Sequence, residues 1–309
     1  MLDILIIGAG PSGLCAAKTF LKYNENENIL LVDAQASLGG VWSKEQLYPT
    51  LKTNNLHPSV DFFDLPMDER FGIKPGEHVT GEAMNRYLCA YADHFGLTER
   101  IRLRTKVNEV CQRPAADGWT VRVERDGLSE NLECRKLVVA TGVLSVPHRP
   151  DLEGVAQFDA LYLHSSELGP KADELVRNPD ITTIAVLGGC KSAYDAVYLA
   201  ASTGHKVEWI IRKSGRGPTW VFPTHTYLGP FKAWREALIT RRIFAFMSPW
   251  PFADFSGLSW LRNFLHFSPI GKKISQTFWS LIHADTIHDC QYQTDSRLNI
   301  LEPEQSPFW

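Results

Sequence analysis

Asp3-Ile-Leu-Ile-Ile7, then Gly8-Ala-Gly-Pro-Ser-Gly13, then Leu14 to Tyr23 is the stretch that decides the fold. The opening residues are a short apolar run, the glycines mark a turn, and Leu14 to Tyr23 repeats apolar side chains at helical spacing, so the chain reads strand, tight turn, helix. Each glycine has a physical use: Gly8 permits the turn, Gly10 lets a pyrophosphate approach the backbone, and Gly13 lets helix and strand pack closely. Phosphates then rest on the positive end of the helix, beside Ser12. A second apolar strand, Ile29 to Val32, ends at Asp33, twenty positions beyond Gly13. An acid at that place hydrogen-bonds the ribose hydroxyls of an adenosine.

The pattern returns later in the chain. After Pro147, Pro150 and Gly154 the composition shifts to that of a connector, and a new apolar strand, Thr183 to Leu187, opens onto Gly188-Gly-Cys-Lys-Ser-Ala193. A helix from Ser192 to Ser202 is capped near Gly204, and Val207 to Ile211 is the next strand, closing with Arg212-Lys213. This second unit is expected to carry a base where the first has Asp33, and an Arg there accepts a 2′-phosphate that an acid would repel. NADPH is therefore the expected second nucleotide, held at Gly188, Gly189, Lys191, Ser192 and Arg212. Read alone, Arg212-Lys213 is a solvated strand end. Cys190 stands where a glycine would approach the pyrophosphate, and Ala193 replaces the third glycine.

Downstream of Asp33 in the first unit, Gly39-Gly40-Val41-Trp42 reads as a backbone loop able to lie against a flat cofactor with Trp42 packed beside it; taken alone it is a turn with a core tryptophan. Val107 to Ala140 contains alternating segments such as Trp119-Thr-Val-Arg-Val-Glu124, with Asp126-Gly127 as a hairpin turn, predicting a small antiparallel meander. It leads into Lys136 to Gly142, expected to be a buried strand ending in the small residues Ala140-Thr141-Gly142. By itself that tripeptide is a strand-end turn. The expected fold class is α/β, with two dinucleotide-binding Rossmann-type domains and the meander, residues 1–150 forming the first domain and 151–309 the second.

Composition limits the functions available. The 309 residues can bury a good core, 44% are hydrophobic and 22% charged, and the net charge of -3 gives no basic excess to draw the chain to nucleic acid. Six cysteines, with no CxxC pair, match neither a disulfide scaffold nor a zinc site, and suggest reduced thiols in a cytoplasmic protein; no metal site is expected. Leu2 to Ala17 lacks the basic start of a signal peptide. The greasiest stretch, Ile243 to Phe255, is broken by Pro249 and Pro251, so no membrane span is expected, while peripheral contact stays open. Aromatics are dense from Trp220 to Trp309, among them Phe222, Tyr227, Trp234, Phe244, Phe246, Trp250, Phe252, Trp260, Phe264 and Trp279, and are read chiefly as core and packing surface.

The order Gly8 to Gly13, Asp33, Gly39 to Trp42 and Ala140 to Gly142 resembles the FAD domain of class B flavoprotein monooxygenases, the flavin-containing monooxygenase family, and the likeness runs through most of the chain. The resemblance implies that FAD is held by Gly8, Gly10, Ser12, Gly13, Asp33, Gly40, Val41, Trp42, Val107, Ala140, Thr141 and Gly142. Lys52-Thr53-Asn54 matches the family segment in which an asparagine near the flavin helps to stabilise its oxygen adduct, making Asn54 the candidate catalytic residue; its other reading is a polar turn. Phe158 to Leu168 resembles the family fingerprint, with Ala160 in place of its glycine, Leu168 in place of its aromatic, and His164 retained. The family chain afterwards adds strands to the FAD domain, whereas this sequence stops at Ser306-Pro-Phe-Trp309, so that completion is expected to be absent and the apolar tail exposed. The implied activity is NADPH-dependent insertion of one oxygen atom, from molecular oxygen, into a small apolar substrate, in a setting such as fungal polyketide tailoring. Two rivals remain: a non-catalytic nucleotide-binding remnant or partner subunit, and a thiol-disulfide reductase, which needs a cysteine pair near the flavin. Oligomeric state is not readable.

Overall fold

The computed structural model describes residues 1–113, 117–143, 146–211, 225–228, 231–234, 247 and 259–289. Strand β1 (Leu2–Ile7) runs into the glycine turn and helix α1 (Pro11–Tyr23), which starts three residues before the expected Leu14 because Pro11 suits the first helical position. Strand β2 (Ile29–Val32) returns parallel to β1, pairing Ile4 with Ile29 and Ile7 with Val32. A two-stranded antiparallel ribbon, β3 (Lys52–Leu56) with β4 (His78–Thr80), precedes α2 (Gly81–His94), whose N-cap Thr80 accepts a hydrogen bond from the Ala83 N–H at 3.3 Å.

The remaining strands of the first unit are β5 (Ile101–Arg102), β6 (Thr105–Gln112), β7 (Trp119–Arg125) and β8 (Leu128–Val139). They join one six-stranded sheet in the order β5-β2-β1-β8-β7-β6. The expected meander is therefore continuous with the parallel core, and β8 makes it so. Its first half pairs antiparallel with β7 and its second half parallel with β1, with Cys134 opposite both Trp119 and Leu2. The β7–β8 turn falls at Asp126-Gly127, both with positive φ (51° and 79°), as a two-residue primed hairpin requires.

Both faces of β1 and β2 are covered, which is why they read as unbroken apolar runs. Ile4, Ile6, Ile29 and Leu31 meet α1 and the tyrosine-rich face of α2 (Tyr87, Leu88, Tyr91). On the opposite face Leu5 and Val32 meet Val121, Val123 and Cys134. The Lys136 to Gly142 segment departs from expectation: Val139 is 65% exposed, and Thr141 and Gly142 are exposed. Among the described residues no element covers that end of β8.

The second unit contains α3 (Leu168–Arg177), β9 (Thr183–Leu187), α4 (Lys191–Ser202) and β10 (Lys206–Ile210). β9 and β10 pair in parallel from Thr183 opposite Lys206 to Leu187 opposite Ile210. A ribbon of β11 (His225–Leu228) and β12 (Phe231–Trp234) and a helix pair, α5 (Ser259–Phe267) and α6 (Pro269–Asp289), follow. Gly271 of α6 abuts the Phe264 carbonyl, and Leu265 is buried. Trp260 (66% exposed) and Phe264 (38%) face outward, correcting their assignment to the core: α5 packs on α6 through its other side. Trp234 is also exposed, at 38%, and Trp279 donates its indole N–H to the Met247 carbonyl at 2.7 Å. Trp220, Phe222, Phe244, Phe246, Trp250, Phe252 and the tail at Trp309 lie outside the described residues. Among the described residues no helix is long and apolar enough to cross a membrane.

Candidate functional site

The first glycine turn is held from all sides. The Gly8 N–H donates to the Val32 carbonyl at 2.8 Å, which joins the turn to the end of β2. Gly8 has φ +110°, and a Cβ there would collide with the Ala140 carbonyl, so the ends of β1 and β8 touch through a residue that only glycine can supply. A Cβ on Gly13 would likewise strike the Gly8 carbonyl, which is the close helix-strand packing expected of the third glycine. Asp33 spans the opening: Oδ2 accepts from the Ala9 N–H at 2.7 Å and Oδ1 from the Gln35 N–H at 2.9 Å. It is half-buried, and the same carboxylate that would take ribose hydroxyls thus braces the loop.

Gly10 faces Gly40. A Cβ on Gly10 would lie 3.4 Å from the Gly40 Cα, so the two glycine loops approach backbone to backbone. The Gly39 N–H donates to Ala9 O at 3.0 Å, and from α2 the amide of Asn85 donates to Leu38 O (3.0 Å) and Trp42 O (2.8 Å). Asn85 is 3% exposed. It went unnoticed in the sequence, although a lone amide among Met84, Tyr87, Leu88 and Tyr91 on the apolar face of a helix was the available signal. Trp42 is half-buried against the main core, while Val41 is 68% exposed. Val107 is half-buried under the second face of the sheet.

The second turn repeats the backbone bond that joins the first to its neighbouring strand. Gly188, φ +137°, donates its N–H to the Ile210 carbonyl at 3.0 Å, as Gly8 does to Val32. Cys190 caps α4 at φ -94°, ψ 176°, close to Gly10 at φ -81°, ψ -177°. The equivalence corrects one expectation: since Ile210 corresponds to Val32, the residue in the place of Asp33 is Ile211. The strand ends one residue earlier than expected, and Arg212, one step further on, lies outside the described residues. A carboxylate is absent from that place all the same.

Neither helix is capped by a side chain, and neither has an acid in its first turn. The positive N-terminal end of each helix suits an external acceptor such as phosphate, although at α4 the Ala193 N–H is already held by the Cys190 carbonyl at 2.8 Å. At the second turn Ser192 is exposed, Gly189 half-buried, and Lys191, the first residue of α4, is ion-paired with Asp195. The two glycine turns thus fit dinucleotide phosphates.

Asn54 is exposed on β3, part of the separate two-stranded ribbon and not of the six-stranded sheet. Its neighbour Thr53 is buried and fixes the ribbon, its hydroxyl accepting from the Val79 N–H at 3.0 Å and donating to Asn55 O at 2.7 Å. His164 forms a capping box for a short 3-10 turn: its ring nitrogen accepts from the Ser166 N–H at 3.1 Å, and its own N–H donates to Glu167 at 2.9 Å. That backbone N–H and the ion pair with Arg149 hold the Glu167 carboxyl below its ordinary range. Leu168, at the degraded fingerprint position, is buried with Ala172, Leu199 and Tyr48. No group of three or more His, Cys, Asp or Glu side chains suited to a metal, and no disulfide, occurs among the described residues.

Two such turns in one chain define a protein with two dinucleotide-binding Rossmann-type units. Residues 5–225 match the pyridine nucleotide-disulphide oxidoreductase family, to which the chain belongs. It is 40% identical over 274 residues to an FAD-dependent monooxygenase of Pyrenophora dematioidea, covering 86% of this chain and 49% of that protein. It is 32% identical over 313 residues to the FAD-dependent monooxygenase DEP4 of Fusarium langsethiae, covering 99% of this chain and 51% of that protein. Among solved structures it is similar to OTEMO in complex with FAD and NADP, with a TM-score of 0.56 and 25% identity, over 71% of this chain and 39% of that one. The chain thus spans about half the length of the curated relatives it matches.

Proposed function

We propose that the chain forms the nucleotide-binding part of an NADPH-dependent FAD monooxygenase, residues 1–150 holding FAD and 151–309 meeting NADPH. The observation that carries this reading is the pair of equivalent glycine turns, one braced by Asp33 and the other with Ile211 in that place. Gly8, Gly10, Ser12 and Gly13 would face the FAD pyrophosphate, and Asp33 its ribose. The loop Gly40-Val41-Trp42, with Val107 and Ala140-Thr141-Gly142, would border the rest of the cofactor. Gly188, Gly189, Lys191, Ser192 and Arg212 would take NADPH, with Arg212 on the 2′-phosphate.

When bound, the flavin would supply the redox chemistry: with two electrons from NADPH, one atom of molecular oxygen enters a small apolar substrate and the other leaves as water. The chain's own contribution would be binding and orientation: helix N-termini for phosphates, Asp33 for hydroxyls, and the amide of Asn54 as a hydrogen-bond donor. The names of the fungal relatives support the monooxygenase class, and a secondary-metabolite substrate is proposed from the family resemblance of the sequence alone. The test is oxygen uptake by FAD-loaded protein with each reduced nucleotide. NADPH-driven uptake well above that with NADH is expected, and the preference should shrink in Arg212→Ala. Equal rates with NADPH and NADH in the unaltered protein would remove the NADPH assignment.

A second reading, a nucleotide-binding chain without turnover, is favoured by the exposed ends of the strands: Val139 at the end of β8 and Val143 beyond it (65% and 97%), Leu187 (48%) and Ile210 (49%). Protein that binds FAD but consumes no NADPH would establish it.

A further inference from the structure

Asp195 lies on α4 one turn beyond Lys191, and one oxygen of its carboxylate serves two partners. Oδ2 accepts the Tyr48 hydroxyl at 2.6 Å and also meets the Lys191 ammonium. Tyr48 belongs to the first unit, in the segment that follows the Gly39 to Trp42 loop, so this hydrogen bond joins residues 147 positions apart across the seam between the two units. The seam is built, not incidental. Tyr48 packs with Leu168, Ala172 and Leu199, and Gly169 of α3 sits so close to the backbone of Glu45 and Gln46 that a Cβ would overlap it. The Asp195 side chain is 14% exposed, so the bond is shielded from water. Burial, with the Asp195 carboxylate beside it, pushes the Tyr48 hydroxyl well above the usual tyrosine range and keeps it a donor.

We propose that Tyr48 and Asp195 are positioning residues that fix the second glycine turn against the first. Asp195 is rooted in the helix whose N-terminus forms the second turn, and Tyr48 in the segment continuous with the loop that touches Gly10. Their hydrogen bond therefore sets the distance and angle between the two nucleotide sites, and the ion pair holds the Lys191 ammonium at the mouth of the second. The proposal rests on the two-nucleotide reading above, but its structural half can be read without turnover.

The experiment compares Tyr48→Phe, which keeps the ring, with Asp195→Asn, which keeps an oxygen to accept the hydroxyl. In amide hydrogen exchange, Tyr48→Phe should speed exchange at least threefold in peptides spanning Glu45 to Leu51 and Lys191 to Leu199, and leave Leu2 to Val32 unchanged. In FAD-loaded protein, the limiting rate of flavin reduction at saturating NADPH should fall about tenfold, with flavin content and the NADP+ dissociation constant within twofold. Asp195→Asn should retain most of the wild-type rate while weakening NADP+ binding, since it keeps the acceptor for Tyr48 but gives up the Lys191 ion pair. Unchanged exchange in α4, or a wild-type reduction rate in Tyr48→Phe, would overturn the proposal. So would loss of flavin, which would place the pair in the folding of the first unit. Unaltered protein that NADPH does not reduce would contradict the NADPH reading instead, and the exchange comparison would then decide the seam by itself.

Discussion

The two glycine turns share a backbone and differ in what presses on it. Gly8 and Gly188 both have positive φ and both bond to the end of the neighbouring strand, and Gly10 and Cys190 have nearly the same angles. Around the first turn, however, Gly8 meets Ala140, Gly13 meets Gly8, and Gly10 meets Gly40, whereas a Cβ on Gly188 would find only Ala193 at 3.8 Å. Glycine is needed at the first turn for both conformation and packing. At the second it is needed for conformation alone, at Gly188. This explains how the second unit tolerates Cys190 and Ala193: the backbone they adopt is open to any residue, and the helix stands far enough from the turn to hold a methyl group.

That contrast can be broken most severely at Gly13. Gly13→Ala places a methyl group on the Gly8 carbonyl and should cost about 3 kcal/mol or more by overpacking, with loss of flavin binding, whereas Ala193→Gly should change stability by only about 1 kcal/mol. Chemical denaturation of both variants checks the asymmetry; equal losses would contradict it. Asn85→Ala leaves the Leu38 and Trp42 carbonyls without their donor and should cost about 2 kcal/mol. It should also loosen the Gly40 loop, read as weaker FAD binding with NADP+ binding unaffected. Asp33→Ala strips the brace from Ala9 and should cost about 1 kcal/mol, with a larger proportional loss of FAD affinity than of stability.

Smaller effects sharpen the comparison. Cys190→Gly should leave the melting temperature nearly unchanged and tighten NADPH binding a few-fold, since only the side chain differs; weaker binding would mean that the thiol belongs to the site. Tyr87, in the core behind the first turn, is pushed up to about 12 by burial, from an ordinary 10.0. A group whose folded value is raised contributes stability that is present below the unfolded value and lost as pH rises through the folded one. Stability should therefore decline between about pH 10 and 12, and Tyr87→Phe should flatten that decline.

Much of this was legible in the sequence because it is local. Strand, turn and helix follow one another within Leu2 to Tyr23, the spacing to Asp33 is fixed by one helix and one strand, and Asp126-Gly127 announces its hairpin. What escaped is set by distant pairing. The single sheet depends on β8 changing partner at Cys134, and the place of Ile211 depends on a register that puts Leu187 opposite Ile210. Asn85 and Tyr48 matter through contacts 43 and 147 positions away, which no periodicity reveals. The exposed faces of Val139 and Trp260 show the same limit, since an apolar pattern states which side should be covered, not what covers it.

The most direct test of two unequal nucleotide sites is the visible spectrum of FAD-loaded protein before and after NADPH is added without air. The account predicts a bound flavin that NADPH bleaches and air restores, with NADH acting more slowly. A protein that takes up no FAD, or whose bound flavin stays oxidised under NADPH, would contradict it.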